Sequence, residues 1–332
     1  MLSIQRSMKT ITLEEHFVTE GFLKATGAYG EGTPSGLRVM RDKLLDLGAG
    51  RLAAMDEGGV DMQVLSLATT GIEALAATEQ AAVLRDVNDA AAAAVKGHPE
   101  RFAAFATVAL KAPETAAKEL ERCVTQLGAK GLMVNGTVTT EEGEVLFMDA
   151  PRFLPVLEAA ETLGVPVYIH PAPPPKAVWD AYYSGLPGET GFMLSIAGWG
   201  WHSETAIHLL RLVLAGVFDR LPKLKVIVGH MGEMLPYALA RSNGGLSAAA
   251  THLQRNVTQT LLDQVYMTTS GYFTRPPFEC CREVIGLERM MYSVDYPFSA
   301  STRGKEFLAS LELSEAEMDA LKGGNAAKVL KI

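Results

Sequence analysis

The sequence predicts an α/β fold, a single (β/α)8 barrel of the TIM type that covers residues 1–332. Short apolar, β-branched runs alternate with longer stretches of helical periodicity, and eight such runs are present. The connections after the first and fifth runs, 14–59 and 171–224, are longer than one helix requires. Of the 332 residues, 48% are hydrophobic, enough for a large core. About 150 residues per domain would allow two domains, but one barrel of about 250 residues with insertions also accounts for the length.

The eight predicted strands are spread along the whole chain. They cover residues 11–13, 60–67, 102–110, 131–134, 165–169, 225–228, 265–268 and 290–294. Helical periodicity is clearest at 79–96, 113–127, 150–163 and 203–218. No internal repeat and no linker separates one part of the chain from another. Strands alternating with helices in this number are typical of a barrel, in which active sites form at the C-terminal ends of the strands.

Composition narrows the classes of partner. The chain carries 30 Lys and Arg against 38 Asp and Glu, a net charge of −8. A phosphate backbone needs a basic face, so no nucleic acid is expected. No apolar stretch is long enough to span a bilayer, and residues 1–10 lack an apolar signal core, with Met8 an alternative start. Three cysteines form no disulfide framework, so we expect a cytoplasmic protein without a membrane partner.

Aromatic residues are concentrated in the connection after the fifth strand. The three tryptophans of the chain, Trp179, Trp199 and Trp201, lie there with Phe192. Such a cluster is typical either of a wall over the barrel mouth or of a subunit contact. We expect both uses, with Trp199 and Phe192 facing the substrate.

Metal-binding residue types stand at the ends of several predicted strands. Glu14 and His16 follow the first strand and, being two residues apart, point to the same side, whereas Glu15 points away. His170 ends the fifth strand and Asp295 ends the eighth. One histidine alone is more often structural, and an acidic residue after a strand often caps a helix. Four donors meeting at one barrel mouth favour a divalent-metal site instead.

The motifs around these residues resemble a known family. LEEHF at 13–17, IHP at 169–171, GHMGE followed by LP at 229–236, and SVDYPF at 293–298 are similar to the amidohydrolase superfamily. More narrowly, they resemble the metal-dependent non-oxidative decarboxylases of aromatic acids, which include the γ-resorcylate (2,6-dihydroxybenzoate) and 2,3-dihydroxybenzoate decarboxylases. The similarity extends over nearly the whole chain, from Lys9 to the C-terminus.

The resemblance implies roles for individual residues. Glu14, His16, His170 and Asp295 would bind one metal ion. His230 would be a catalytic histidine beside the metal, paired with Glu233, which is three residues away and would neighbour it if a helix begins after His230. Asn135, at the end of the fourth strand, would face the substrate. Homo-oligomers are common in the family, so the resemblance also implies a homodimer or homotetramer. Apart from the resemblance, Arg241 lies eight residues after Glu233 on the expected helix after the sixth strand, where it would contact a substrate carboxylate or a neighbouring subunit, or form a surface salt bridge.

Two departures from the wider superfamily bear on the metal. Hydrolytic members carry His-x-His after the first strand, whereas Glu14 stands here and makes the site harder, which favours Mn²⁺ over Zn²⁺ without excluding Zn²⁺. Binuclear members bridge two metals with a modified lysine where this chain has Asn135. One divalent ion per chain is therefore expected. No phosphate-binding glycine loop is present, so no organic cofactor is expected.

The predicted activity is a reversible, metal-dependent, non-oxidative decarboxylation of a hydroxylated aromatic carboxylic acid such as a dihydroxybenzoate. In this interpretation Asp295 protonates the ring carbon, and His230 with Glu233 binds the substrate and manages the proton. The first alternative is a metal-dependent hydrolase of an ester, lactone or amide, with His230 as general base. A hydratase, a non-aromatic decarboxylase and a non-catalytic metal-binding protein are further alternatives.

Overall fold

Eight parallel strands form the centre of the molecule in residues 9–332, which are the residues that the computed structural model describes. Residues 1–8, which include the alternative start Met8, lie outside the described residues. The strands are β1 (Ile11–Phe17), β2 (Met62–Leu67), β3 (Phe102–Ala104), β4 (Leu132–Asn135), β5 (Val167–His170), β6 (Val226–Val228), β7 (Val265–Thr268) and β8 (Met290–Met291). Their number and order confirm the predicted (β/α)8 barrel.

The strands close into a ring through two narrow seams. β1, β2 and β3 pair in one parallel sheet, and β4 to β8 pair in sequence order in another. Single parallel bridges, Ala106 with Leu132 and Glu15 with Tyr296, join the two sheets on either side. Because all strands are parallel, all their C-terminal ends open at the same mouth of the barrel.

Two predicted strands are shorter in the structure, and polar side chains form hydrogen bonds with the backbone inside their predicted ranges. Residue 107 lies within the predicted third strand, but the Asn88 amide there donates to the Thr107 carbonyl and accepts from its N–H, both at 3.0 Å. After β8, Ser293 N donates to Thr269 Oγ1 at 2.9 Å and Val294 N donates to Glu15 at 3.0 Å. Side chains therefore replace strand partners at residue 107 and at residues 293–294.

Helices surround the ring and also fill the two long connections, after β1 and after β5. The α-helices are α1 (Glu20–Thr26), α2 (Ser35–Arg38), α3 (Arg41–Leu45), α4 (Ala49–Gly58), α5 (Ala77–Gly97), α6 (Pro113–Thr125), α7 (Leu154–Leu163), α8 (Lys176–Tyr182), α9 (Thr190–Ser195), α10 (Gly200–Leu214), α11 (Val217–Arg220), α12 (His230–Glu233), α13 (Leu235–Ala249), α14 (Val257–Gln264), α15 (Arg275–Ile285), α16 (Ser301–Ser310), α17 (Glu315–Asp319) and α18 (Asn325–Leu330). Short 3-10 turns cover Ile72–Ala74, Pro151–Phe153 and Leu287–Arg289, a π turn covers Ala320–Gly324, and Val138–Thr139 pairs with Val145–Leu146 in a small hairpin. Across residues 9–332, none of the helices has the length and apolar character needed to cross a membrane.

The interior of the barrel is packed with side chains rather than open. Seven of the strands each direct at least one buried side chain inward, and the segment after β3 adds one more. These side chains are Ile11, Leu13, Met62, Val64, Ala103, Phe105, Met133, Tyr168, Ile227 and Met291. Val329 and Leu330 of α18 pack against this cluster. The apolar interior supports the barrel mouth, where the polar side chains collect.

A β-bulge in β1 lets the strand serve both the core and the mouth. Thr12 pairs with Gln63 but Glu15 pairs with Leu65, so β1 contains one residue more than β2 over this stretch. Leu13 faces the interior cluster, and Glu14, the next residue, is also directed into the barrel. The Leu13 and Glu14 N–H groups donate to Ser293 Oγ at 3.2 and 2.8 Å. Without the extra residue, strict alternation would send Glu14 and His16 outward.

A buried histidine away from the barrel mouth fastens α10 to the segment before α7. Met148 N donates to His208 Nε2 at 3.1 Å, and the His208 ring packs edge-on to Phe147 with 5.2 Å between ring centroids. Burial lowers the pKa of His208 from 6.5 to about 4. The folded chain therefore holds this imidazole neutral under conditions in which the unfolded chain would protonate it.

We predict that His208 makes folding stability sensitive to acid. Because its pKa is depressed in the folded state, its protonation in the unfolded state costs stability as pH falls from about 6.5 to about 4, up to roughly 3 kcal/mol. His208→Gln keeps an acceptor for Met148 N and removes the titration. The difference in unfolding free energy between the two proteins, from urea denaturation at several pH values, should change by this amount over that window. Parallel stability curves would contradict the prediction.

Candidate metal centre

Four side chains from three strand ends meet at the barrel mouth. Glu14 and His16 come from β1, His170 from the last position of β5, and Asp295 from the segment after β8. His170 Nε2 lies 3.1 Å from Glu14 Oε1, and His16 Nε2 lies 3.3 Å from Asp295 Oδ1. Two ligands that each lie about 2.1 Å from one ion are roughly 3 to 3.4 Å apart. The ligand atoms of Glu14, His16 and His170 all lie within 4.8 Å of one another, and Asp295 lies beside His16, so these side chains could hold a metal ion.

Two buried polar atoms test whether a cation fits. Within residues 9–332, neither Glu14 Oε1 nor His16 Nε2 has a partner in hydrogen-bonding geometry, although both are fully buried and other ligand atoms lie within 3.3 Å of them. Leaving a buried carboxylate oxygen unsatisfied is costly. His170 Nε2 lies beside Glu14 Oε1 and Asp295 Oδ1 lies beside His16 Nε2, so a divalent cation bound among these atoms would satisfy both. The residues present fit a metal ion.

The other atoms of these ligands are held by neighbours. Glu14 Oε2 accepts hydrogen bonds from Tyr168 Oη and Ser270 Oγ. His170 Nδ1 lies 2.6 Å from the Pro171 carbonyl, to which it donates, and His16 Nδ1 lies 3.2 Å from Ser66 Oγ. Each histidine is thereby oriented with Nε2 toward the centre, the arrangement in which a second hydrogen bond fixes the tautomer of a metal ligand.

The electrostatics of the mouth favour positive charge. Burial would raise the pKa of Glu14, but the charge of His230 and the contacts with His16 and His170 lower it well below its usual range. Burial opposes charge on His16 too, yet Asp295 and Glu14 raise its pKa to about 9. Glu14 thus remains ionised and attracts either protons on the imidazoles or a metal ion, which compete for the same lone pairs.

Glu15 points away from the centre, as expected, but it is buried and not a surface charge. Val294 N donates to Glu15 Oε1 at 3.0 Å and Tyr296 N donates to Glu15 Oε2 at 3.3 Å. These two N–H groups flank Asp295, whose φ of 68° is left-handed. Burial raises the pKa of Glu15 to about 7, although the Val294 hydrogen bond opposes the shift. Glu15 therefore fastens the Asp295 turn to the strand that carries Glu14 and His16.

His230 and Glu233 are paired, but not by the start of a helix. His230 Nδ1 lies 2.8 Å from Glu233 Oε1, and His230 Nε2 lies 3.5 Å from Glu14 Oε1. The five residues 230–234 all have positive φ, from 49° to 76°, so a left-handed turn brings i and i+3 together. A helix start does not explain the pairing, because the segment assigned above as α12 has left-handed backbone throughout and the right-handed helix α13 begins only at Leu235. Left-handed backbone costs about 1–2 kcal/mol per non-glycine residue, and the burial of His230 and Glu233 holds it.

Glu233 is shared by a second histidine that the sequence did not single out as functional. His202 Nδ1 lies 2.6 Å from Glu233 Oε2, and His202 Nε2 lies 2.9 Å from Tyr272 Oη. These distances are those of hydrogen bonds rather than of two ligands around an ion. Burial would raise the pKa of Glu233, but the two histidines lower it. The anionic carboxylate therefore accepts from both imidazoles and orients them.

A cavity of 420 Å³ opens beside the centre. Its polar lining comes from Asp295, His230, Ser270, Tyr272, His202, Ser299 and Glu189. Its apolar lining is drawn from both long connections and the β8 turn: Pro34, Leu37, Met40, Met193, Ile196, Ala197, Trp201 and Phe298. A volume of this order suits a small ring compound.

The four residues expected to contact substrate lie elsewhere in this single chain. Asn135 ends β4 beside His170 but lines a smaller neighbouring cavity with Lys111. Trp199 is 49% exposed, Phe192 is half-buried and Arg241 is exposed on α13. None of them lines the 420 Å³ cavity, whose tryptophan is Trp201. Their contacts with substrate stay predictions.

Four residues of this site, Tyr168, Ser270, Tyr272 and His202, were not predicted, and only Tyr168 had a signal in the sequence. Tyr168 lies two residues before His170 on β5, so the rule that pairs Glu14 with His16 would also have pointed it into the mouth. Ser270 and Tyr272 follow β7, a strand end that carried no metal-binding residue type. His202 had no local signal, because only the folded β5 connection brings it to Glu233.

Comparison with known proteins agrees with this geometry. The amidohydrolase family model matches residues 16–332. The chain is 35% identical to decarboxylase orsB of Emericella nidulans, with 97% of each chain covered, and 34% identical to the gamma-resorcylate decarboxylase of Polaromonas sp., with 97% of this chain and 98% of that protein covered. A solved structure of dihydroxybenzoic acid decarboxylase from Polaromonas sp., with bound manganese and the inhibitor 2-nitroresorcinol, superposes with a TM-score of 0.87 at 32% identity and covers 98% of this chain and 97% of that one. This chain therefore belongs to the amidohydrolase family.

Proposed function

We propose that this protein is a metal-dependent, non-oxidative decarboxylase of a hydroxylated aromatic carboxylic acid. The observation that carries the proposal is the pair of unsatisfied buried ligand atoms, Glu14 Oε1 and His16 Nε2, at the edge of a largely apolar cavity. Such a cavity accepts a flat ring, and the centre accepts its carboxylate. The similarity to γ-resorcylate and dihydroxybenzoic acid decarboxylases supports the same substrate class.

We assign the metal ligands as Glu14, His16, His170 and Asp295, holding one ion, with manganese preferred. The two carboxylates make the donor set harder than an all-histidine set, which suits Mn²⁺. When bound, the ion supplies positive charge that orients the substrate carboxylate and favours ionisation of a hydroxyl ortho to it. The Polaromonas relative with bound manganese supports this choice.

Asp295 is the proposed proton donor. Direct loss of CO₂ would leave an aryl anion whose electron pair lies in the ring plane, where the π system does not stabilise it. Asp295 instead takes the proton that the ring hydroxyl releases as it ionises and gives this proton to the ring carbon that bears the carboxylate, while the phenolate supplies the electrons. The C–C bond then breaks, its electron pair restores the aromatic ring, and CO₂ leaves. Asp295 lines the cavity, as this role requires.

His230 is placed to orient the substrate and manage the proton. Glu233 fixes Nδ1, so Nε2 faces Glu14, at 3.5 Å, and Asp295, at 3.9 Å. Burial disfavours charge on His230, but Glu233 and Glu14 raise its pKa well above its usual range. A protonated imidazole in this position donates a hydrogen bond to an oxygen of the substrate.

The assembly is proposed to be a homodimer or homotetramer that acts on a small aromatic acid. Large hydrophobic side chains are exposed on the single chain, with Tyr237 at 87%, Tyr182 at 73% and Trp199 at 49%. Light scattering coupled to gel filtration should give the mass of two or four chains, and a monomer would contradict this. A cytoplasmic location stays a prediction from the sequence.

We predict that the Mn²⁺-loaded protein releases CO₂ and the matching phenol from at least one dihydroxybenzoate. Asp295→Asn should lower kcat by about 10³-fold, because general-acid groups contribute about 10² to 10⁴. CO₂ release and product chromatography measure both. The control is Asp42→Asn, whose side chain is 94% exposed, and it should leave kcat unchanged.

Two results would contradict this assignment. Failure to turn over any dihydroxybenzoate, together with hydrolysis of aryl esters or lactones, would favour the hydrolase alternative. Full activity in Asp295→Asn would remove the proton-donor role while leaving the reaction class intact.

We predict that Gly229→Ala weakens metal binding more than it weakens the fold. A Cβ at Gly229 would lie 2.6 Å from Glu14 Oε2 and 3.0 Å from Tyr168 Oη, so it would push the carboxylate out of place. The Mn²⁺ dissociation constant from titration calorimetry should rise by about tenfold or more. Gly97→Ala, where a Cβ meets no atom within 4 Å, is the matched control. Equal Mn²⁺ affinity in the two variants would refute the placement of Glu14 as a ligand.

A further inference from the structure

We propose that the indole N–H of Trp201 donates a hydrogen bond to the carboxylate of the bound aromatic acid, and that the site thereby distinguishes the acid from the phenol that decarboxylation produces. This inference rests on the proposed function, since it assumes an aromatic acid in the 420 Å³ cavity that Trp201 lines. Trp201 is then a residue that sets specificity for substrate over product.

The observation that carries the inference is a buried donor without a partner. Within residues 9–332, Trp201 Nε1 is one of seven buried side-chain nitrogen and oxygen atoms that form no hydrogen bond. Two others, Glu14 Oε1 and His16 Nε2, are accounted for by the proposed cation. Of the seven, only Trp201 Nε1 belongs to a residue that lines the cavity. A buried N–H left unpaired is costly, so an acceptor that arrives with the ligand binds favourably there.

The backbone fixes Trp201 at the start of α10. Gly200 precedes it, and a Cβ on Gly200 would lie 2.2 Å from the carbonyl oxygen of Ser195, the last residue of α9. Only glycine therefore lets α10 begin this close to α9. The residue after Trp201 is His202, whose Nδ1 is anchored to the Glu233 carboxylate at 2.6 Å. The indole is thus held in place before a ligand arrives, which limits the cost of ordering it on binding.

Trp201 lies at the metal end of the cavity. Its ring centroid is 6.3 Å from that of His170, a proposed metal ligand. An indole N–H only donates, so its partner must be an acceptor. In the proposed function the substrate carboxylate is oriented at this end, and its oxygens accept. A hydrogen bond to an ionised carboxylate is roughly twice as strong as one between neutral groups.

Other polar groups of the cavity wall are engaged or lie at its rim. The described residues that line the cavity include no Lys or Arg. Three of the polar side chains in the lining already form hydrogen bonds with the protein: Ser270, His202 and Tyr272. Ser299 also borders a neighbouring surface groove, where water can satisfy its hydroxyl. Apart from His230, assigned above to a substrate oxygen, Trp201 is therefore the buried donor left to meet the carboxylate.

This hydrogen bond distinguishes the acid from its product. Loss of CO₂ removes the acceptor, and the phenol that remains offers no anionic oxygen at that ring position. The bond is made to the bound acid and weakens as the carboxylate becomes neutral CO₂. Trp201 should therefore lower KM for the acid rather than raise kcat.

Packing alone is the competing explanation, in which the indole fills one side of the cavity and its N–H plays no part. Replacing Trp201 would then weaken acid and phenol alike, because both rings lose the same apolar contact. Comparing each acid with the phenol that lacks its carboxylate separates the two explanations.

The test measures dissociation constants of dihydroxybenzoates and of the matching phenols on Mn²⁺-loaded protein. Stopped-flow mixing gives these constants before turnover, from the change in ligand absorbance. Trp201→Phe keeps an aromatic ring and removes the N–H. It should weaken acid binding about tenfold, change phenol and Mn²⁺ binding by less than about threefold, and lower kcat/KM through KM. The matched control is Trp179→Phe, which alters a half-buried tryptophan of the same connection outside the cavity and should change none of these.

The inference is overturned if Trp201→Phe leaves acid binding unchanged or weakens acid and phenol equally. Turnover of a dihydroxybenzoate without a selective loss of acid binding in this variant would refute the hydrogen bond and retain the proposed function. A selective loss of acid binding in a protein that decarboxylates none of the acids would do the reverse. Absence of both binding and turnover would refute both.

Discussion

The Glu14 carboxylate, fully buried at the mouth of the barrel, is the constraint on which the rest of the site depends. An ionised carboxylate without partners is far too costly to bury. One oxygen is satisfied by Tyr168 and Ser270, and the other faces histidine nitrogens and the proposed cation. Gly229 leaves the space that the carboxylate occupies. The β1 bulge, the β5 tyrosine and the β7 turn thus all serve the position of one side chain.

A second layer of carboxylates holds the elements around that position. Glu15 binds the N–H groups on both sides of Asp295, and Glu233 binds two imidazoles at once. Glu15 stabilises the left-handed backbone at residue 295, and Glu233 holds two imidazole rings beside the left-handed residues 230–234. The strain is concentrated where side chains must converge, which is where such backbone is commonly found.

The sequence predicted the barrel and the meeting of its strand ends because both follow from local patterns. Apolar runs mark strands, parallel strands share one mouth, and two-residue spacing aligned Glu14 with His16. What could not be predicted depends on contacts distant in sequence. The bulge arises from Ser293, 280 residues after Leu13. His202 becomes a partner of Glu233 only when the β5 connection folds over the mouth. The left-handed turn at His230 carries no pattern that distinguishes it from a helix start.

The most direct test of the account is the metal content of the purified protein after dialysis against Mn²⁺ and removal of unbound metal, measured for the unaltered chain and for Glu14→Gln. The account predicts one manganese ion per chain and a large loss of bound metal in the variant, because the carboxylate that faces the other three ligands becomes a neutral amide. A content near two ions per chain, or an unchanged content in Glu14→Gln, would contradict it.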